Sequence, residues 1–318
     1  LEEQINDPLL REMLLCPTCY YGSARQNDID FPTFVMLFDA IFKQGLARPE
    51  KGIRAILDPL VKKLKEHGVE RKMNAPVFRM KANNGRIIEI ELESGNCFTA
   101  DQFISTCGGV ETENLLGLPE HLKETEQGKF TIIESMSVFK GHPREFGWEE
   151  TVIFFNRSNH FHFNEPQDLI DLDTGVICLP ENYGHLNESK NNESKLRITH
   201  PANFDLWNQL SESEYQKNKK ICESQILENG LNFLKNGSSL NNEFETKTVM
   251  KDTFTPKTIK RFTGHEKGTL YGSPTKKRDG ATRFENLFLA GTDQGYIGIV
   301  GAMLGGIAVA NNQILRRN

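Results

Sequence analysis

The sequence has few cysteines and no excess of positive charge, and both features narrow the class of protein. Six cysteines in 318 residues are too sparse for a disulfide-stapled scaffold. The 38 lysines and arginines are outnumbered by 43 aspartates and glutamates, so no nucleic-acid partner is expected. No apolar run indicates a membrane-spanning segment, and no charged-then-apolar leader opens the chain. The overall composition is that of a globular protein with one large or two ordinary domains.

The motifs of several common enzyme classes are also absent. The chain contains no G-x-S-x-G, H-E-x-x-H or Walker loop, which argues against the common hydrolases and phosphotransferases. Cys16 and Cys19 form a C-x-x-C motif, but no second pair completes a metal site, and reduced cytoplasmic thiols are the simpler interpretation. His160 and His162 would share one face of a strand without a third ligand of clear spacing, so we predict no metal site.

Two helices are predicted near the start of the chain. Over 30–43 apolar residues recur at helical spacing and cover more than one side, which is typical of a buried core helix. The alternative is a helix that lines a channel for an apolar substrate or rests on a membrane surface. A second, amphipathic helix is predicted over 53–64, with an expected kink at Pro59 and an end at Gly68.

From Val69 onward the apolar period changes to that of strands. Asn84 and Gly85 tolerate positive φ and predict a hairpin turn within a small antiparallel meander. A returning strand then leads into Gly108 and Gly109, where paired glycines allow the close approach of another backbone. The strands predicted in this part are 69–73, 77–82, 86–92 and 102–106.

Strand patterns also dominate 130–263. The predicted strands are 130–140, 151–156, 160–164, 175–179, 196–199 and 245–251, with a solvated loop at 186–195. A helix is predicted over 211–235, because Ser211 and Glu214 have capping-box spacing. This region therefore reads as an antiparallel sheet with a helix packed on it, inserted between two pieces of another domain.

The stretch 286–306 carries the most specific pattern in the chain. A short apolar strand runs into a loop with glycines at positions 291, 295 and 298, and the loop runs directly into a helix of small residues. Such a turn lets backbone N–H groups approach a large anionic cofactor. The pattern predicts one half of a dinucleotide site; the alternative is a glycine-rich packing turn without a ligand.

This stretch resembles the phytoene desaturase, carotenoid isomerase and retinol saturase group of the amine-oxidase-like flavoproteins. The resemblance is carried by Asn286-Leu287-Phe288-Leu289-Ala290-Gly291 and Gly298-x-x-Gly301-Ala302, and by Gly268-x-x-Tyr271-Gly272 before them. Two earlier features stand in the order that this family uses. They are Arg48-Pro49-Glu50-Lys51-Gly52-Ile53 and then the meander. The resemblance implies an α/β (α+β) fold: the C-terminal part of a Rossmann-like FAD-binding domain with a β-meander, plus an antiparallel-sheet substrate domain.

The resemblance also implies FAD as the cofactor, with NAD(P) as a candidate electron partner. In the family, the residue at Val77 holds the adenine side of FAD through its backbone. The acidic residue at Asp293 contacts the ribose and pyrophosphate portion, and Gly291 and Thr292 belong to the same cofactor-binding turn.

The flavin ring is expected at the start of the last helix. The resemblance implies that Gly298, Ile299 and Val300 present backbone N–H groups to the ring. The helix that begins near Gly301 would then point its positive end at the ring, which stabilises the negative charge of a reduced flavin.

Members of this family begin with a strand, a G-x-G-x-x-G turn, a helix and an acidic residue, and no such unit occurs in this sequence. Since the first residue is also not Met, we expect a piece of a longer flavoprotein; the alternative is a reduced homologue that binds no flavin. The expected segments are a helical part of the substrate domain at 1–48, an FAD-domain segment with the meander at 49–115, the antiparallel-sheet substrate domain at 116–263, and the last FAD-domain strand and helix at 264–318.

The expected chemistry of the whole protein is hydride transfer between an apolar polyene or isoprenoid-like substrate and flavin. The product would be a desaturated, saturated or isomerised C–C or C=C bond. Such a substrate binds through apolar burial, so no side chain is nominated as an acid or base. Alternatives are a related flavoprotein acting on an amine, porphyrinogen or sterol, and a non-catalytic remnant or partner-binding module. A cytoplasmic location is expected, with peripheral membrane contact through 31–42 as a further hypothesis.

Overall fold

The computed structural model describes residues 1–184, 192–296 and 298–316. The chain divides into two compact units, and each is assembled from two separate stretches. Unit 1 comprises Leu1–Gln44 and Glu126–Thr275, and unit 2 comprises Gly45–Thr125 and Lys276–Asn318.

The regular elements are named here in chain order. The helices are α1 (Pro8–Gly22), α2 (Phe31–Phe38), α3 (Arg54–Glu66), α4 (Gly109–Leu115), α5 (Phe204–Gln209), α6 (Glu212–Leu231), α7 (Gly237–Lys247), α8 (Pro256–Thr263) and α9 (Gly298–Val309). The strands are β1 (Val77–Asn83), β2 (Arg86–Leu92), β3 (Cys97–Phe98), β4 (Phe103–Ser105), β5 (Thr131–Lys140), β6 (Val152–Asn156), β7 (Thr174–Cys178), β8 (Glu193–Ala202), β9 (Thr248–Phe254) and β10 (Leu287–Leu289).

Unit 1 is organised around a five-stranded antiparallel sheet with strand order β6-β7-β8-β5-β9. Strand β5 alternates buried and half-buried residues, so one face of the sheet turns to the core. Helix α6 packs on the sheet and is capped by Ser211, whose side chain accepts from the Glu214 N–H in the predicted capping box. The predicted antiparallel sheet with a packed helix is therefore confirmed.

The core of unit 1 is rich in aromatic rings. Trp148 and Trp207 are fully buried, and their ring N–H groups donate to the carbonyls of Lys235 and Leu169 at 3.1 and 2.9 Å. These bonds allow two indoles to be buried without an unpaired donor. The main cluster also contains Ile133, Phe139, Phe146, Phe155, Ile177, Leu196, Ile198, Ile226, Leu231 and Phe244.

Unit 2 contains the predicted meander β1-β2-β3 and a two-stranded parallel sheet of β4 and β10. Asn84 and Gly85 turn the hairpin at φ of 48° and 77°, as predicted. Asn286 joins the two sheets: its Oδ1 accepts from Ile87 N at 2.8 Å, and its Nδ2 donates to the carbonyls of Ile87 and Asp101 at 2.9 and 3.2 Å. The amide thus fixes β10 beside the meander.

Both early helices form, but their apolar faces are not fully covered. The prediction over 30–43 is confirmed by α2 and the π-helical turn Asp39–Gln44, whereas a fully buried core helix is wrong. The amphipathic helix is confirmed as α3, which contains Pro59 and buries no residue. The exposed apolar side chains of these helices include Phe31, Val35, Met36, Phe42, Ile53, Leu57, Leu60 and Leu64.

Other predictions for the middle of the chain fail for identifiable reasons. The strand predicted over 160–164 is wrong, because side chains bind its backbone: Phe161 N donates to the Glu12 carboxylate at 3.1 Å and Phe163 N to Asn27 Oδ1 at 2.7 Å. The strand over 69–73 is also wrong, since no partner strand pairs with that segment. The first three residues of the predicted 245–251 strand are the end of α7, and the other four belong to β9. The loop over 186–195 lies partly outside the described residues, and its last three positions belong to β8.

Because His200 is buried, we expect the free energy of unfolding of unit 1 to fall in acid. Burial lowers the pKa of this imidazole to about 4 from 6.5, although Nδ1 lies 2.9 and 2.8 Å from the carbonyl oxygens of Asp171 and Thr174. His200 is therefore protonated below about pH 6.5 in the unfolded chain but only below about pH 4 in the folded chain. The free energy of unfolding consequently falls as the pH falls from 6.5 to 4. At pH 5 the expected loss from this group is about 2 kcal/mol.

The measurement is chemical denaturation at pH 7 and pH 5 for the wild type and for His200→Asn, whose amide keeps an N–H donor for the carbonyls. We expect the wild type to lose about 2 kcal/mol more than the variant between the two pH values. Equal losses in both proteins would show that His200 is not responsible.

Candidate functional site

The two glycine turns predicted from the sequence lie side by side in unit 2. Strands β4 and β10 run parallel and end together, with Ser105 paired to Leu289. Beyond that pair, Ala290 N donates to the Ser105 carbonyl at 2.9 Å. Both strands therefore leave the sheet at the same edge. In open α/β sheets this edge, outside the carboxyl ends of the strands, is where ligands bind.

A buried carboxylate ties the two turns together. Asp293 Oδ2 accepts the backbone N–H of Gly109, the first residue of α4, at 2.7 Å. Its other oxygen lies 3.3 Å from Lys276 Nζ, and the same ammonium donates to the Thr292 carbonyl at 3.2 Å. Bonds between charged groups are roughly twice as strong as neutral ones. Asp293 therefore acts at least as a crosslink between the turn after β4 and the turn after β10.

The turn after β10 is fixed from within by Gln294. Its Oε1 accepts from Gly291 N at 3.1 Å, which holds Gly291 at φ of 100°. A Cβ at Gly305 would overlap the same Oε1, and a Cβ at Gly301 would come within 2.6 Å of the Tyr296 carbonyl carbon. The two glycines of α9, spaced one turn apart, thus let the helix press on the loop that leads into it.

The start of α9 is open in this structure. Gly298 has φ of 68°, and a Cβ built on it meets no atom within 4 Å. Ile299 and Val300 follow with exposed side chains. Because the first N–H groups of a helix have no partner within the helix, this end offers donors and a positive dipole to a ligand.

The remaining predicted residue, Val77, lies in the meander. It is half-buried, opens β1 and pairs with Leu92 beside an irregularity in the ladder between Val77 and Arg79. Gly291, Thr292 and Asp293 thus lie in one turn, which Gln294 joins to α9 at Gly305 rather than at the start of the helix. Val77 lies on a separate strand of unit 2.

Lys276, Gln294 and a hydroxyl cluster were not predicted from the sequence. Ser105 Oγ lies 2.7 Å from Thr112 Oγ1, which donates to the Gly108 carbonyl and so closes the first turn of α4. Lys276 opens the basic tripeptide Lys276-Lys277-Arg278. It pairs with Asp293 in the glycine turn. A search of the sequence for a basic residue that could pair with this aspartate would have been the signal to use.

Other candidate sites of the sequence lose support in the structure. Cys16 and Cys19 are buried, and burial raises the pKa of each thiol to about 12, so both stay protonated. His160 is not on a strand, and its Nδ1 lies 3.2 Å from a Glu12 oxygen. Among the described residues, one group has metal-ligand spacing, Glu89, Glu91 and Cys97, but Arg79 and Lys81 already bind its two carboxylates.

Helix α9 and the π-helical turn that follows it bear on the expectation about membrane-spanning segments without overturning it. Within the described chain, Gly298–Leu315 is the one helix that is long and apolar enough to cross a membrane by length and composition. Its buried residues, Gly301, Gly305, Val309 and Gln313, recur every four positions and form a single stripe. The other sides of this helix are mostly exposed in unit 2.

No protein-family model matches the chain. Over 232 residues, the chain is 25% identical to the chloroplastic prolycopene isomerase of Daucus carota, an alignment that covers 72% of this chain and 36% of the relative. Over 117 residues it is 32% identical to a 4,4'-diaponeurosporene oxygenase of Staphylococcus aureus, with 36% of this chain and 23% of the relative covered. The chain therefore spans well under half the length of these two relatives.

Among solved structures, an oxidoreductase from Methanosarcina mazei has the same fold. The TM-score is 0.60 at 16% identity, and the match covers 98% of this chain and 66% of that one. Similarity at this level of identity is evidence for the fold alone. It confirms the predicted mixed class of helices and antiparallel sheets.

Two adjacent glycines of α9 test the close packing of the loop. Gly305→Ala puts a methyl group against the buried Gln294 amide and should lower the free energy of unfolding by about 1 to 3 kcal/mol. Gly306→Ala is the matched control, because a Cβ there meets no atom within 4 Å. Alanine favours a helix over glycine, so the control should be neutral or stabilising by up to about 1 kcal/mol. Urea denaturation measures both, and equal effects would contradict the packing described.

Proposed function

We propose that the chain is part of an FAD-dependent oxidoreductase and that unit 2 supplies the C-terminal half of its FAD site. The observation that carries this proposal is the pair of glycine turns at the carboxyl ends of β4 and β10, joined by Asp293 and followed by the open start of α9. A dinucleotide needs close backbone approach and N–H donors for its anionic groups, and this arrangement offers both.

The residues fit FAD in the roles that the resemblance implies. Gly291, Thr292 and Asp293 would face the ribose and pyrophosphate, and Val77 would contact the adenine side through its backbone. The Asp293 carboxylate already accepts protein donors, so its part would be to hold the turn in shape beside the phosphates.

The start of α9 would hold the flavin ring. A side chain at position 298 would have to adopt a positive φ, and glycine leaves that space free. The N–H groups of Gly298, Ile299 and Val300, at the positive end of the helix that continues through Gly301, would stabilise negative charge on the ring. When bound, flavin supplies the capacity to accept or donate a hydride. The residues of this chain would orient the ring and exclude water.

We further propose that a strand, glycine turn and helix belonging to the same protein complete the site. Two observations support this. The sequence contains no G-x-G-x-x-G turn, and α3 and α9 of unit 2 expose apolar side chains, among them Leu60, Leu64 and Leu304. Apolar faces of this kind are usually covered in a folded protein. A preceding dinucleotide-binding unit is the occupant we propose, and the short alignments to longer relatives agree with it.

The substrate we propose is an apolar polyene or isoprenoid, which undergoes desaturation, saturation or isomerisation. Support comes from the two relatives, whose names denote enzymes of carotenoid chemistry. In this proposal 49–115 and 264–318 serve the cofactor, and 1–48 and 116–263 serve the substrate. NAD(P) is our candidate for the electron partner. The alternatives, another amine-oxidase-like flavoprotein or a module without flavin, would be favoured by a polar pocket over the ring or by failure to bind FAD.

The role of Asp293 can be tested in protein expressed from its complete reading frame. We expect the wild type to purify with FAD, detected by its visible absorbance. Asp293→Ala should bind FAD about 10- to 100-fold more weakly, because it removes charge-assisted bonds that hold two turns together. Asp101→Ala, which removes an exposed carboxylate of the same unit, is the control and should bind FAD normally.

Flavin affinity is measured by fluorescence quenching on variants whose circular dichroism matches the wild type. A folded wild type without FAD affinity would overturn the proposed function. An unchanged affinity in Asp293→Ala would refute the role of the carboxylate.

Contact with a membrane surface is a second proposal, supported by the exposed apolar residues of α1 and α2. Val35 and Met36 are 48% and 46% exposed, and Val249 and Met250 of β9 have the same exposures, 48% and 46%. If α2 inserts into a lipid surface, Val35→Asp with Met36→Asp should lower the fraction that sediments with phosphatidylcholine liposomes several-fold. The pair Val249→Asp and Met250→Asp should have no effect. Equal effects of the two pairs would contradict the proposal.

A further inference from the structure

Unit 1 contains a cavity of about 680 Å³ between α1, the start of α2 and the segment around Phe161. The lining residues of α1 are Pro8, Arg11, Glu12, Leu15 and Cys19, which recur at helical spacing and form one face. The volume falls within the range of roughly 300 to 1,000 Å³ that is typical of small-molecule sites. The cavity is formed within unit 1.

The walls of the cavity combine apolar and polar side chains, and the apolar ones include Leu15, Ile29 and Phe34. Leu15 and Ile29 are half-buried, and Phe34 is buried. Phe31 stands at the rim and is 71% exposed. A carbon chain that lies against Phe31, Leu15, Ile29 and Phe34 would be removed from water, and this burial would supply binding energy.

The charged groups of the lining differ in whether they already have partners. Glu12 accepts from Phe161 N at 3.1 Å and lies 3.2 Å from His160 Nδ1. Asp28 accepts from Ile29 N at 2.8 Å and from Arg25 at 3.3 Å.

Two charged side chains of the lining remain. Glu2 is exposed to solvent. Arg11 is half-buried, and within the described ranges its guanidinium makes no ion pair or side-chain hydrogen bond. A guanidinium presents a fork of N–H donors that suits a carboxylate or another oxygen acceptor, so it is the polar group that a ligand could use.

We propose that this cavity binds an elongated apolar molecule that ends in a carboxylate or another oxygen acceptor. The oxygen end binds Arg11, and the carbon chain lies against Leu15, Ile29 and Phe34. Fatty acids have this chemistry. The proposal rests on unit 1 alone and does not depend on flavin.

The test uses cis-parinaric acid, a polyene carboxylate whose fluorescence rises on transfer to an apolar site. The probe is titrated into the flavin-free chain below the concentration at which it forms micelles, and it is then displaced by palmitic acid or by 1-hexadecanol. We expect saturable binding with micromolar affinity. Palmitic acid should displace the probe at about tenfold lower concentration than the alcohol, because a carboxylate pairs with Arg11 more strongly than a hydroxyl.

Two pairs of variants locate the binding. Arg11→Leu should weaken probe binding about tenfold and abolish the preference for the acid, whereas Arg144→Leu, on an exposed arginine of unit 1 outside the lining, should change neither. Phe31→Ser should weaken probe and alcohol alike several-fold. Leu9→Ser is its control, since Leu9 is 65% exposed on the neighbouring helix but does not line the cavity.

The absence of saturable binding to folded wild type would overturn the proposal. Binding that both the Arg11 and the Phe31 variants leave unchanged would overturn the location, and equal displacement by acid and alcohol would overturn the role of Arg11. None of these results bears on FAD affinity. The cavity proposal and the flavin proposal can therefore be refuted independently of each other.

Discussion

The geometry of unit 2 depends on one buried carboxylate. Asp293 accepts the N–H of Gly109 and lies beside the ammonium of Lys276, so it connects the turn after β4 with the turn after β10. In a low-dielectric surrounding such charge-assisted bonds are strong, and a partner left without them is costly. The carboxyl ends of β4 and β10 present one shared edge because this crosslink and the pairing of Ser105 with Leu289 act together.

Small residues fix the position of α9 against the loop that precedes it. Gly301 and Gly305 let the helix lie directly on Tyr296 and Gln294, and Gln294 in turn holds Gly291. Each contact is a close approach that a side chain would prevent. The same design leaves the remaining sides of α9 apolar and uncovered, which is why we regard unit 2 as one part of a larger cofactor site.

Local patterns in the sequence were sufficient for much of this structure. The Asn84-Gly85 hairpin, the Ser211 capping box and the strand before Gly291 follow from φ preferences, side-chain reach and period, and all are confirmed. The failures depend on distant partners. Strand-like residues at 160–164 are held by Glu12 and Asn27, and the pairing of Lys276 with Asp293 requires two loops to meet. The cavity beside Arg11 is likewise a product of helix packing, which no local pattern encodes.

The central claim is that this chain carries half of a flavin site, and the most direct measurement is to sequence the coding DNA upstream of the Leu1 codon. Our account predicts an open reading frame that encodes a strand, a G-x-G-x-x-G turn, a helix and then an acidic residue, because in our proposal the glycine turns of unit 2 complete such a unit. An in-frame stop codon or an unrelated sequence at that position would contradict the account.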